Sequence, residues 1–224
     1  MMKYVFFFWA MLGITALQAQ SKDSLLIKEQ GFTILLQKLP ADAALAESNG
    51  PKMFELRHSL RRVVLALCAE EVRPVWQKEA PEQVLKVKIT VKEAAQMPAA
   101  KQRALQELLK WLRLPSQYSQ QNQEVWLLRI PKAERLPKAQ PNRKDGILER
   151  SEDAVWVHYH TDLAYTAQQI RKEMGVWALV KEPSTQKFKL SLQWSTLEVL
   201  QKQLENQGIT FTKSRESIKV LLIG

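Results

Sequence analysis

The chain has 224 residues, 46% hydrophobic and 25% charged, with a formal net charge of +10. That is ordinary globular composition, with room for one good-sized domain or two small ones. A lone cysteine, Cys68, excludes an internal disulfide framework, and only seven glycines leave no phosphate-binding loop or dinucleotide fingerprint.

Lys3 is followed by an apolar run over residues 4–17 that includes Phe6, Phe7, Phe8 and Trp9. Small Ala19 then stands just before Gln20. This pattern predicts a secretory signal peptide over 1–19, cleaved after Ala19. The alternative is a signal anchor. The run is short for crossing a bilayer, and polar Gln18, Gln20, Ser21, Lys22 and Asp23 follow at once. The expected location is periplasmic or secreted, soluble and without a transmembrane anchor once the signal is removed. No cysteine near the cleavage point speaks for a lipid anchor.

Residues 20–52 form a lead-in. Leu25 to Ile27 and Phe32 to Leu36 read as short strands around Gly31, and Asn49-Gly50-Pro51 as a turn. The lead-in is expected to be a hairpin, or an arm packing on the module C-terminal to it.

A first module spans 53–131. It starts with a strand over 53–57. Ser59 then caps a helix with Leu60, Val63, Val64 and Leu67 on one face, closed by Pro74. Residues 84–91 alternate, with Leu85, Val87, Ile89 and Val91 on one side. A second helix over 98–114 carries Leu105, Leu108, Leu109 and Leu112, and Pro115 stops it. A polar stretch over 116–123 precedes a strand over 124–130. Residues 132–153 carry Pro137, Pro141 and Asp145-Gly146 and read as an extended, charged linker.

The second module spans 154–224. Val155, Val157 and Tyr159 alternate with Trp156, His158 and His160. Thr161 or Asp162 starts a helix with Leu163, Ala167, Ile170 and Met174 on one face, ended by Gly175. A short strand over 176–180 leads to one over 187–194, where Phe188, Leu190, Leu192 and Trp194 alternate with polar residues. Ser195 and Glu198 read as a capping box for a helix carrying Leu197, Leu200 and Leu204, with Gly208 at its end. Ile209 and Phe211 open a strand, and Ile218, Val220 and Leu222 continue it after a polar turn.

The stretch LQELLKWLRLPSQYSQQNQEVWLLRI from Leu105 aligns with LEVLQKQLENQGITFTKSRESIKVLLI from Leu197. Order and spacing agree, so duplication is favoured over the periodicity that any small unit of this kind shares. The expected fold is α+β: two tandem modules of strand-helix-strand-strand-helix-strand type, each a short sheet with two helices on one face.

This module pattern resembles the short N-terminal domain of secretins and TonB-dependent receptors. More specifically, RHSLRRVVLALC from Arg57, EVWLLRI from Glu124, KFKLSLQW from Lys187 and SIKVLLI from Ser217 resemble the soil-associated bacterial family, a secreted domain of unknown function. The resemblance implies an envelope interaction domain without catalytic residues. It also implies a sensing or docking role, since relatives are fused to thioredoxin-like or membrane sensor proteins.

The chemistry-bearing motifs HExxH, GxSxG and CxxC do not occur. Cys68 follows Val64 by one turn on an apolar face and reads as a small buried hydrophobe. His158 and His160, two apart on a strand, share a face as a pair of metal ligands would, and Glu152, Asp153 or Asp162 are candidates for a third. The opposing reading is a polar outer face beside Trp156. Trp111 and Trp194 read as core. Trp126 and Trp156 fall opposite the aligned core positions, where they suit contact with a partner or cover between the modules. The candidate partner-binding residues are therefore Trp126, Trp156, His158 and His160. No catalytic, cofactor or metal residue is assigned. The expectation is a non-enzymatic envelope protein that binds another protein, with no cofactor. The alternatives are a basic polyanion-binding protein, for nucleic acid or an acidic envelope polymer, and a metal-dependent hydrolase using the two histidines.

Overall fold

A computed structural model describes residues 17–131, 133–140, 142, 155–182 and 184–224. Residues 1–16 of the expected signal segment over 1–19 and most of the expected linker, 132, 141 and 143–153, lie outside the described residues. The fold is α+β. Among the described residues, no helix is long and apolar enough to cross a membrane.

The elements in order are β1 (Leu17–Gln20), β2 (Ser24–Glu29), β3 (Phe32–Leu39), β4 (Ala46–Asn49), β5 (Met53–Ser59), α1 (Leu60–Leu67), β6 (Val72–Trp76), β7 (Val84–Val91), α2 (Met97–Trp111), β8 (Ser116–Arg129), β9 (Val155–Thr161), α3 (Leu163–Met174), β10 (Ala178–Val180), β11 (Phe188–Gln193), α4 (Leu197–Asn206) and β12 (Thr210–Ile223). The order strand-helix-strand-strand-helix-strand occurs from β5 to β8 and again from β9 to β12. The sheets, however, are not divided by half. β6 and β8 belong with β10 and β12 to a four-stranded sheet, ordered β10-β8-β12-β6.

The chain divides into two compact units. The first holds residues 17–69, Pro74–Tyr118 and Leu221–Gly224, and the second Glu70–Arg73 with the described part of Ser119–Val220. The unit boundaries thus fall inside β6, β8 and β12.

In the first unit a six-stranded sheet is ordered β1-β2-β3-β7-β5-β4. The strict alternation of β7 explains its central place. Leu85, Val87 and Ile89 are fully buried on one face, beside Ile34 and Leu36 of β3 and Phe54 and Leu56 of β5. Helices α1 and α2 cover this face with Leu60, Val63, Val64 and Leu67 from one and Ala104, Leu105 and Leu108 from the other. Each of the leucines and valines contributes about 1.5–3 kcal/mol on burial. In the lead-in, Leu25 and Ile27 of β2 are 1% exposed in the same core. Gly31 turns the β2–β3 hairpin at φ 113°, a region other residues rarely occupy. Ser59 precedes α1 without a side-chain cap; instead the Leu60 amide donates to the Gln83 carbonyl at 2.9 Å. Buried Glu107 is met by Arg103 at 3.1 Å, and Arg103 also reaches Glu29 of β2 at 2.9 Å, so α2 is tied to the sheet it covers. Residues 221–224 complete this unit: Gln77 donates to the Ile223 carbonyl at 2.8 Å and Gly224 to that of Pro115 at 3.0 Å.

In the second unit β9 and β11 pair antiparallel, and β10 runs parallel to β8. The core gathers Leu163, Ala167 and Ile170 from α3, Leu200 and Leu204 from α4, and Phe211 from β12. Leu136, from the stretch read as a linker, is one of its buried members. Helix α3 has the expected limits, with Asp162 as cap and Gly175 at φ 66° behind it. Helix α4 is capped by Thr196, whose hydroxyl accepts from the Val199 amide at 3.3 Å, and not by Ser195. Strands β8 and β12 run unbroken for 14 residues each, where a polar stretch and a polar turn were expected. Neither run contains glycine or proline, so nothing interrupts the extended backbone.

Candidate functional site

The four residues singled out in the sequence all lie in the second unit. Trp126 does not project away from the core. Its ring stacks on buried Phe211, with centroids 4.5 Å apart and planes 23° from parallel. The ammonium of Lys213 stands 5.6 Å from the same ring.

The face assigned to Trp156 and His158 is also inverted. In β9–β11, Trp156 opposes Leu192 and His158 opposes Leu190. Directly opposed residues of an antiparallel pair share a face, and both leucines are core residues 1% exposed. His158 is itself buried, edge-on to the Tyr165 ring at 5.3 Å. Adjacent Tyr159 is buried as well, so alternation alone does not tell the faces of β9 apart. A register shift between Phe188 and Leu190 interrupts the pairing beside Tyr159 and His160, and past it Thr161 opposes core Phe188. The Nδ1 atom of His160 is buried and has no hydrogen-bond partner among the described residues.

Asp162, a candidate third ligand beside these histidines, is already engaged. One carboxylate oxygen accepts from the Tyr165 amide at 2.8 Å and the other from the Lys187 ammonium at 2.7 Å. Burial pushes its pKa up, but Lys187 first and the Tyr165 amide next outweigh this, and the net shift is downward. Glu152 and Asp153 lie outside the described residues. Among the described residues, no three His, Cys, Asp or Glu side chains are grouped to hold a metal ion. Asp162→Ala removes a helix cap and an ion pair, and is expected to cost about 1 kcal/mol. The pH dependence has a definite sign. A lowered carboxyl pKa gives stability that is present above the ordinary value of about 3.9 and lost as pH falls through the folded value. Urea titrations should therefore show wild type and Asp162→Ala converging as pH drops from 7 towards 3. A constant gap across that range would contradict the carboxylate's role.

An arrangement that the sequence reading did not single out lies in the first unit. Strand β4 ends the six-stranded sheet, and all four of its residues are exposed. Among the described residues no strand lies beyond it. Leu45 just before it is 58% exposed, and Met53, across the Gly50 turn, is 39% exposed. Its neighbour β5 carries Glu55, which is ringed by cations. Arg57 Nη2 lies 3.0 Å and Lys86 Nζ 3.3 Å from one carboxylate oxygen, and Lys88 Nζ lies 3.9 Å from the other. The Arg57 guanidinium, foremost, and the Lys86 ammonium hold the Glu55 carboxyl below its usual range against the opposing effect of burial. This face of the sheet thus presents three cations about one carboxylate. The only sequence signal for the edge was the Asn49-Gly50-Pro51 turn, since Ala, Glu, Ser and Asn have little strand propensity.

Comparison with protein-family models, curated proteins and solved structures finds no match.

Proposed function

We propose that the protein is a secreted, non-enzymatic component of the cell envelope that binds another protein by accepting an extended strand at an open sheet edge. The observation that carries this reading is β4, a fully exposed outer strand of a six-stranded sheet flanked by exposed Leu45 and Met53. A strand edge offers unpaired backbone donors and acceptors, and partner strands add there by main-chain hydrogen bonds. The apolar segment at residues 4–17 and the resemblance to envelope interaction domains support the same reading. The test is a pull-down from envelope extract with a photo-crosslinking residue at position 48. A partner recovered by wild type and crosslinked from that position is expected. No recovery above background, or crosslinking only from positions far from β4, would defeat the reading.

A second reading, polyanion binding, is favoured by the net charge of +10. It requires retention on heparin that weakens steeply with salt.

A further inference from the structure

We propose that the strand accepted at β4 carries carboxylates at alternate positions, on the one face it shares with Arg57, Lys86 and Lys88. This rests on the reading of β4 as the docking edge and adds the chemistry of the occupant.

The register of β4 on β5 places the groups that matter. Ala46 opposes Arg57, and Ser48 opposes Glu55. On that face β4 therefore shows only a methyl and a hydroxymethyl group. A strand added beyond β4 lies two spacings from β5, roughly 10 Å. Arg57, with its side chain 40% exposed, can reach over Ala46 toward an acidic side chain there. Two of its five N–H donors go to Glu55, through Nε at 3.3 Å and Nη2 at 3.0 Å. The three cations exceed the carboxylate they surround by two charges (3 − 1 = 2). Two partner carboxylates on this face complete the balance.

The other face of β4 asks for the opposite. Glu47 opposes Leu56 and Asn49 opposes Phe54, so the carboxylate of Glu47 is on the helix-covered side. An acidic residue directly beside it meets like charge. The occupant is thus acidic on one face only, which an extended strand achieves with a period of two. The same pattern disfavours a second copy of this chain. Two β4 strands paired about a two-fold axis bring Glu47 toward Glu47 and Arg57 toward Arg57. The edge is suited to a different, acidic partner.

The probes are two labelled eight-residue peptides, alternating Val with Glu or Val with Lys, and a single-stranded DNA oligonucleotide, read by fluorescence anisotropy. The Glu peptide should bind about ten-fold or more tighter than the Lys peptide, and Arg57→Glu should erase that preference. In an antiparallel pair, adjacent residues alternate between inward and outward backbone groups, so one of Glu47 and Ser48 points its N–H outward. Of Glu47→Pro and Ser48→Pro, the one that keeps its unfolding midpoint should abolish peptide binding. Hydrogen exchange on the unmodified chain should show new protection at residues 46–49 with the Glu peptide. Equal binding of both peptides, lost with the proline variant, overturns the acidic partner but leaves the docking edge standing. Binding of the Glu peptide or DNA that ignores both prolines and leaves 46–49 unprotected overturns edge docking and identifies a polyanion surface. No peptide binding at millimolar concentration overturns the inference outright.

Discussion

Replacing Phe211 with alanine is expected to destabilise the second unit by about 3–5 kcal/mol. Phe211 is fully buried at the start of β12, in the core built by α3, α4 and β11. Truncation removes the ring's transfer free energy and leaves a cavity that surrounding side chains fill only in part. It also ends the stack with Trp126, an aromatic pair adding about 0.5–1.5 kcal/mol beyond its buried area. The loss is large against the roughly 5–15 kcal/mol by which domains are stable. Urea unfolding followed by circular dichroism gives the magnitude. Tryptophan emission in native buffer should shift to longer wavelength as Trp126 gains contact with water. Phe211→Leu, which keeps most of the volume, should cost much less. A loss below about 1 kcal/mol for the alanine variant would mean the ring is not packed as described.

The second large effect concerns Cys68. Its thiol follows α1 and is pushed up to a pKa of about 12 by burial alone. The thiolate is the reactive form, and an exposed cysteine ionises near 8.5. At pH 8 the folded thiol should therefore react with iodoacetamide on the order of a thousand-fold more slowly than a peptide thiol. Full reactivity should return in guanidinium. The same shift bears on stability. The unfolded thiol loses its proton first, so this contribution is complete below about pH 8.5 and declines as pH rises toward the folded value. Rapid labelling of the native chain would contradict burial of the sulfur. Cys68 was expected as a small buried hydrophobe; it is half-buried, at the extended C-cap just past the apolar face of α1 formed by Val63, Val64 and Leu67.

Local chemistry was legible where it is self-contained. Asp162 and Gly175 bracket α3 as their spacing indicated, since a side-chain cap and a left-handed glycine act within a turn of the helix. Ser195 and Thr196 offer the same hydroxyl, and the backbone resolves the choice: Thr196 is extended, with φ −115° and ψ 162°, immediately before the helix. Strand length was harder to read. The first half of β8 and the stretch of β12 just after Phe211 are largely exposed and polar, so they lack the apolar alternation by which the rest of each strand was recognised. The inversion at Trp156 and His158 has another cause. Alternation marks a core face only when the intervening residues meet water, and in β9 adjacent His158 and Tyr159 are both buried beside a register shift. Strand β4 exists because a hairpin turn returns the chain beside β5, a tertiary fact with no signal in Ala-Glu-Ser-Asn.

The membership of residues 221–224 in the first unit has a consequence in time. A chain leaving the ribosome presents Pro74–Tyr118 about a hundred residues before Leu221–Gly224. Until those four residues emerge, the carbonyl of Pro115 and the amide of Gln77 lack their native partners. Domains with contiguous sequence can fold one after another during synthesis. This one instead stays incomplete through translation of nearly the whole second unit. Closure of the first unit therefore waits for residues made long after those that begin it.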